Sequence, residues 1–194
     1  MLKTLPLTES PELTAKAVDF LCESKASFAL EAEEAQCIVT YMRWVRYSPG
    51  SVLLLEGEET RTSYMLLLLE GDVSVDTEAS GRPDRVAISV IGPGSLIGEM
   101  ALLDGAPRSA SCTAITSVQA AGLSHAGLEL MASVHPRVAF KLMVYLSRHT
   151  IGRLRLLSEQ LHMYDQLNAA LHQEINQLRT NIPHAAKIDR FSNV

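Results

Sequence analysis

The stretch that decides the fold spans residues 97–111 and reads IGEMALLDGAPRSAS. It continues an apolar run that ends at Gly98, and Glu99–Leu103 can form a short helix before Pro107 redirects the chain into another strand. The start of a short helix offers free backbone N–H groups, which suit an anion. Arg108 can place two charge-assisted hydrogen bonds on one phosphate. The pattern therefore predicts a phosphate-binding turn between two strands.

The side chains near Arg108 extend this prediction to a nucleotide. Ser109 can add a hydroxyl, and the small Ala110 lets a backbone N–H approach the ligand. Glu99 is unsuited to a phosphate but can accept hydrogen bonds from a sugar hydroxyl. The combination suits a ligand with both a phosphate and a free ribose hydroxyl. The alternative is that Glu99 and Arg108 form a structural ion pair, although a buried pair is by itself weak support for stability.

The stretch resembles the phosphate-binding cassette of the cyclic-nucleotide-binding domain family, in which Gly-Glu and a short apolar helix precede Pro-Arg-(Ser/Thr/Ala)-Ala. The order of further residues is similar to the β-roll of that family, and the resemblance covers about residues 30–160. These residues are Gly50, Glu56-Gly57, Tyr64, Glu70-Gly71, Pro93-Gly94 and Gly98. The resemblance implies a mainly β fold with flanking helices. Its core would be an antiparallel double-stranded β-helix, or jelly roll, between N-terminal helices and a long C-terminal dimerisation helix.

The resemblance also implies the residues of a ligand site. Gly98 would allow close backbone approach, Glu99 would bind the ribose 2′-hydroxyl, and Arg108 would neutralise the cyclic phosphate. The cassette contacts would comprise Gly98, Glu99, Met100, Ala101, Arg108, Ser109 and Ala110. The base would lie near His149, Thr150, Arg153 and Leu154 on the long helix. The expected ligand is cAMP, with cGMP or a cyclic dinucleotide as alternatives, and no further cofactor is expected.

Glycine and apolar spacing predict how the chain is organised. Residues 1–42 are predicted to be an N-terminal helical region, in which Thr8 or Ser10 caps a helix that has Pro11 in its first turn. Between residues 43 and 124, short apolar runs alternate with glycines, as in an antiparallel sandwich or barrel. The predicted segments are the β-roll at 43–134, with a hairpin loop at 78–84, a long helix at 135–180 and a flexible tail at 181–194.

The long helix carries a heptad pattern from about residue 154. Its apolar seam alternates spacings of three and four residues, which is typical of a left-handed coiled coil. The seam consists of Leu154, Leu157, Leu161, Tyr164, Asn168, Leu171, Ile175 and Leu178. Asn168 at an a position favours a two-stranded, in-register homodimer. The alternative is that this stripe packs on its own domain.

Composition and absent motifs exclude several function classes. The chain has 194 residues and a formal charge of −5, so a chain-wide basic footprint for nucleic acid is missing. Most residues after Gln160 continue the heptad and leave no room for a helix-turn-helix, so we expect no direct DNA binding. Without an apolar span or a secretory signal, we expect a cytoplasmic protein with no membrane segment.

Catalytic and metal-binding patterns are missing as well. The sequence contains no Ser–His–Asp or Walker pattern, and residues 43–123 contain no histidine, which metal-dependent jelly rolls require. We therefore expect a non-enzyme without a metal site. The favoured hypothesis is a cyclic-nucleotide receptor that couples ligand binding to movement of the long helix and to regulation of a protein partner. The alternative hypothesis is a dimeric coiled-coil interaction module whose nucleotide site is vestigial.

Overall fold

The computed structural model describes residues 4–23, 28–60, 63–78 and 85–181 of the chain. The chain divides into two structural units at the bond between Arg148 and His149. The elements in chain order are β1 (Leu5–Pro6), a 3-10 turn (Leu7–Glu9), α1 (Pro11–Cys22), α2 (Ala32–Thr40), β2 (Arg43–Tyr47), β3 (Val52–Leu54), β4 (Tyr64–Glu70), β5 (Val73–Glu78), β6 (Arg85–Ile91), β7 (Leu96–Ile97), α3 (Glu99–Asp104), β8 (Ser111–Ala114), β9 (Val118–Ser124), α4 (His125–Val134) and α5 (Pro136–Asn181).

The strands form two antiparallel sheets, which confirms the predicted β-roll architecture. One sheet has the order β1-β2-β9-β4-β7, and the other has the order β3-β8-β5-β6. Strands distant in sequence are neighbours in the first sheet, since β4 lies between β9 and β7. Short β7 pairs with β4 through Leu66–Ile97 and Leu67–Leu96, so the chain enters α3 directly beside the start of β4.

Strand β4 has the nearly continuous apolar sequence YMLLLLE, and both of its faces are buried. Successive side chains of a strand point to opposite faces. Met65, Leu67 and Leu69 belong to the apolar cluster on the helical side of the sheet, whereas Leu66 and Leu68 belong to the cluster between the two sheets. A strand buried on both faces loses the apolar–polar alternation of a half-exposed strand.

Helices α1, α2 and the first turns of α5 cover the outer face of this sheet. Ser10 precedes α1 without a side-chain capping bond, and Pro11 occupies the first turn, where its missing N–H costs nothing. Helix α2 begins with a reciprocal capping box between Glu31 and Glu34. Leu142 and Leu146 of α5 are fully buried in the same apolar cluster as both N-terminal helices. The flanking helices are therefore part of the fold's core.

An ion pair between α5 and α2 reinforces this arrangement. Lys141 Nζ lies 2.6 Å from Glu34 Oε2, and both side chains are about one-fifth exposed, at 20% and 21%. Partial burial raises the pKa of Glu34, but hydrogen bonds from the Glu31 amide and Lys141 outweigh it and hold that pKa below its ordinary value. The pair fixes the start of α5 against α2.

The N-terminal region departs from the predicted helical segment 1–42 at its beginning. Leu5 and Pro6 form a short strand that pairs with Trp44 and Arg43 of β2. Proline is tolerated here because β1 lies at the edge of its sheet, where a missing N–H breaks no interior bond. The prediction of helix over these residues was wrong, because pairing with a distant strand decided the local conformation.

Two predicted segments lie partly or wholly outside the described residues. Of the predicted hairpin loop at 78–84, only Glu78 is described, as the last residue of β5. The predicted flexible tail at 181–194 is described only at Asn181, where α5 ends. Within the described ranges, no helix combines the length and the apolarity needed to cross a bilayer.

Candidate functional site

The cassette, residues 98–110, begins with a glycine whose conformation and surroundings exclude a side chain. Gly98 has a φ of +76° and forms the N-cap of α3. A Cβ at this position would lie 2.5 Å from Arg108 Nη1 and 3.2 Å from the carbonyl oxygen of Tyr64. Gly105, with φ +69°, ends α3 and donates its N–H to the Ala101 carbonyl. Glycines in the left-handed backbone conformation thus begin and end α3, which makes it a short connection between β7 and β8.

Glu99 is the first residue of α3, and its side chain is only 1% exposed. Burying a carboxylate is costly unless it accepts hydrogen bonds. Its position at the first turn of α3 also favours negative charge, because the helix dipole is positive at that end. Glu99 is therefore placed as a buried acceptor inside the cassette, and its contact with a ribose hydroxyl stays a prediction.

Arg108 lies near the end of the cassette in sequence, and its guanidinium reaches back inside the protein to the start of the cassette. Its side chain is 3% exposed. Nη1 donates to the Gly98 carbonyl and Nη2 donates to the Tyr64 carbonyl, each at 2.9 Å. The guanidinium carbon also lies 4.7 Å from the centroid of the Tyr64 ring, at cation–π distance. These contacts orient the guanidinium inside the protein.

The main chain of Arg108 is fixed as well. Its N–H donates to the Glu58 carbonyl at 3.2 Å, and its carbonyl accepts from the Gly57 N–H at 2.9 Å. A neighbouring bond joins the Glu56 amide to Ser111 Oγ at 3.0 Å. The loop that follows β3 therefore holds the main chain at the C-terminal end of the cassette through hydrogen bonds.

Tyr64 is a site residue that the sequence analysis placed only in the scaffold. Its hydroxyl donates to the Leu53 carbonyl at 3.1 Å, while its ring faces Arg108. Tyr64 and Arg108 are separated by 44 positions in sequence, so no local pattern joins them. The only available signal was an aromatic residue at the start of an apolar strand.

The remaining predicted cassette residues divide between exposed and buried positions. Met100 is 41% exposed, and Ser109 is also exposed. Ala101 is buried, and half-buried Ala110 packs against the apolar cluster between the sheets. The structure thus brings Gly98, Glu99 and Arg108 into one buried turn and leaves Met100 and Ser109 toward the surface.

A cavity of about 240 Å³ lies next to Tyr64, against the sheet that contains β2, β9 and β4. Val45, Tyr47 and Leu66 give it apolar walls. The lining consists of Thr4, Arg43, Val45, Tyr47, Tyr64, Leu66, Gly122 and Ser124. This volume lies below the roughly 300 Å³ at which small-molecule sites begin, so the cavity by itself does not enclose a nucleotide.

The residues predicted to face the base lie on α5 in the second structural unit. These are His149, Thr150, Arg153 and Leu154, of which Arg153 and Leu154 are exposed. Their approach to a nucleotide stays a prediction.

The predicted seam of α5 is exposed to solvent along its length. Its apolar members range from 46% exposed at Leu171 to 65% at Leu161, and Asn168 is also exposed. Such a continuous stripe is unusual on a helix that has no partner. Self-association through this stripe stays a prediction.

In the part of the chain that the structure describes, no group of three or more His, Cys, Asp or Glu side chains is placed to hold a metal ion. The arrangement of the cassette is suited to binding an anion through Arg108 and a hydroxyl through Glu99.

Comparison with known proteins places this geometry in a family. The model described as "Cyclic nucleotide-binding domain" matches residues 44–134. A cyclic nucleotide-gated potassium channel of Mesorhizobium japonicum is 36% identical over 102 residues, which are 53% of this chain and 26% of the channel. A CRP-like cAMP-activated global transcriptional regulator of Mycobacterium tuberculosis is 24% identical over 132 residues, which are 68% of this chain and 56% of the regulator. The chain therefore spans about a quarter of the channel and about half of the regulator.

A solved structure agrees with the sequence matches. The cyclic nucleotide-binding domain from Methylobacillus flagellatus superposes with a TM-score of 0.72 at 28% identity, and the match covers 79% of this chain and 84% of that one. The matched segment contains the cassette and the strands of both sheets from β2 onward, except for the first residue of β2. Residues 44–134 of the chain therefore belong to the cyclic nucleotide-binding domain family.

Proposed function

We propose that the chain is a non-catalytic receptor for a cyclic nucleotide, with cAMP as its ligand. The observation that carries this proposal is the buried Arg108 guanidinium, 3% exposed and oriented by two carbonyl oxygens. A buried cation favours an anionic partner, because the surrounding protein solvates charge less well than water does. The cyclic phosphate supplies that anion, and the guanidinium can donate to it with charge-assisted hydrogen bonds.

The choice of a nucleotide rests on Glu99. Its buried carboxylate lies in the same turn as Arg108, whose guanidinium bonds to the neighbouring Gly98 carbonyl, so one ligand can present a phosphate to Arg108 and a ribose hydroxyl to Glu99. The relative described as cAMP-activated supports adenine as the base, and therefore cAMP as the ligand. cGMP and a cyclic dinucleotide are the competing ligands, because both carry the same phosphate chemistry.

An apolar contact network supports coupling between the cassette and α5. Leu102 of α3 is 3% exposed and belongs to the same buried cluster as Leu142 and Leu146 of α5. A ligand that shifts α3 would therefore change how this cluster packs around the start of α5. For this to be a switch, the nucleotide must bind one arrangement of the cluster better than the other.

The exposed seam supports the final part of the proposal, a homodimer formed through α5 that regulates a protein partner. Two parallel copies would bury the stripe from Leu154 to Leu178, and paired Asn168 side chains would fix the register. Cys22, Cys37 and Cys112 form no disulfide bond, which fits the reducing cytoplasm in which we place the receptor.

Calorimetric titration of cAMP into nucleotide-stripped protein tests the ligand assignment. Wild-type protein should bind, and Arg108→Ala should lose binding. Arg46→Ala is the matched control, because Arg46 lies exposed on β2 outside the cassette and its loss should leave the affinity unchanged. Circular dichroism must show that each variant is folded at the assay temperature.

A pull-down with and without cAMP separates the receptor from an interaction module. A receptor should capture its protein partner to a different extent in the two conditions, and Arg108→Ala should abolish that difference. Partner capture that is identical with and without cAMP, from a protein that binds no nucleotide, would support a coiled-coil module with a vestigial site instead.

A further inference from the structure

Tyr64 forms the surface on which the Arg108 side chain rests. The guanidinium carbon is 4.7 Å from the ring centroid, and Nη2 donates to the carbonyl oxygen of the same residue at 2.9 Å. One residue thus contacts the guanidinium through both its ring and its backbone. A cation held over an aromatic face in a desolvated site is attracted by the electron density of that face.

The Tyr64 ring is itself held in place at its far end. Its hydroxyl donates to the Leu53 carbonyl in β3, which belongs to the other sheet. Its backbone pairs with Ser124 of β9. Because both ends of the residue are anchored, the ring offers Arg108 a fixed face.

The same region of the chain fixes the Arg108 backbone. Gly57 and Glu58, which follow β3, exchange hydrogen bonds with the Arg108 main chain. The Arg108 side chain is therefore linked to β3 through the Tyr64 ring, and its main chain is linked to β3 through this loop.

We propose that Tyr64 is a positioning residue, which sets the affinity for the nucleotide by holding Arg108 ready for the phosphate. This inference rests on the proposed function. An arginine side chain has considerable rotamer freedom, and a site that has already ordered it does not lose that freedom on binding. Without the ring, the guanidinium keeps its bonds to the Gly98 and Tyr64 carbonyls but loses its aromatic support, so the nucleotide must order a more mobile side chain.

The test compares Tyr64→Leu with Tyr64→Phe by titration with cAMP. Tyr64→Leu removes the aromatic face and should weaken binding by about 10- to 30-fold, equivalent to about 1.4–2 kcal/mol. Tyr64→Phe keeps the face and loses only the bond to Leu53, so its affinity should stay within about threefold of wild type although its melting temperature falls. Tyr64→Met serves as a second variant without a ring if the leucine variant unfolds at the assay temperature.

A double-mutant cycle shows whether Tyr64 acts through Arg108. In an Arg108→Lys background there is no planar guanidinium to orient, so Tyr64→Leu should change the dissociation constant by less than about twofold. An equal loss of affinity in both backgrounds would show that Tyr64 is only structural and would overturn the inference. So would wild-type affinity in both Tyr64→Leu and Tyr64→Met.

These results are distinct from failure of the proposed function. If stripped wild-type protein binds none of cAMP, cGMP and a cyclic dinucleotide, the receptor assignment fails, and the role of Tyr64 fails with it. If wild type binds and the ring-free variants bind equally well, the receptor assignment stands and only the role of Tyr64 is wrong.

Discussion

Replacing Gly98 by alanine tests the close contact between Gly98 and the Arg108 guanidinium in the cassette. Gly98 has a φ of +76°, and an added Cβ would meet Arg108 Nη1 at 2.5 Å and the Tyr64 carbonyl oxygen at 3.2 Å. The backbone oxygen cannot retreat easily because it belongs to β4. The arginine must therefore yield and give up its 2.9 Å hydrogen bond to the Gly98 carbonyl.

Gly105→Ala is the matched control for this substitution. Gly105 has a similar φ of +69°, but an added Cβ there meets nothing within 4 Å. Both variants carry the left-handed penalty of about 1–2 kcal/mol, partly offset by the lower entropy of the unfolded chain. Only Gly98→Ala also disturbs the charge-assisted bond of Arg108, which adds about 1.5–3 kcal/mol.

The expected result is thus a difference between the two variants. Gly98→Ala should be less stable than Gly105→Ala by about 1.5–3 kcal/mol in urea denaturation, or about 3–12 °C in melting temperature. Nucleotide affinity should fall in Gly98→Ala and stay near wild type in Gly105→Ala. Equal destabilisation of the two variants, with Gly98→Ala still binding cAMP normally, would refute the Gly98–Arg108 contact.

Three other predictions address packing, pH and assembly. Leu102→Ala should lower the free energy of unfolding in urea by about 2–5 kcal/mol, because Leu102 is buried. Leu103 is 38% exposed, so Leu103→Ala should lower it much less. Similar losses of stability in the two variants would contradict the packing of α3. Hydrogen bonds from Lys16 and Gln119 hold the pKa of Glu70 below 4.5. Stability should therefore fall as acidification below pH 4.5 protonates Glu70, and Glu70→Gln should reduce that loss in acid titrations followed by urea denaturation. Asn168→Ile should tighten self-association of α5 in sedimentation equilibrium, because a polar a position costs stability, and weaker association would contradict the seam.

The cassette was predictable because its determinants are local. Gly98, Pro107 and Arg108 lie within a few positions of one another, and glycine and proline constrain the backbone wherever they occur. The short helix Glu99–Asp104 follows from that local pattern.

Features that depend on distant parts of the chain were not predictable in the same way. The N-terminal strand exists because Leu5 and Pro6 pair with β2, and helical spacing in the following residues gave no sign of it. The contact between Tyr64 and Arg108 joins an interior strand to a loop 44 positions away. A run such as YMLLLLE indicates burial, but it does not reveal which residue at its end will face a charged group.

The proposed function depends on Arg108 as the phosphate-binding residue of a cyclic-nucleotide receptor. Thermal unfolding of nucleotide-stripped protein with cAMP, cGMP or a cyclic dinucleotide tests it most directly. At 100 times its dissociation constant, the true ligand should stabilise wild type by about 2.7 kcal/mol, or about 5–11 °C. We expect that shift with cAMP, preserved in Arg46→Ala and lost in folded Arg108→Ala. No shift with any of the three nucleotides, or an equal shift in Arg108→Ala, would contradict it.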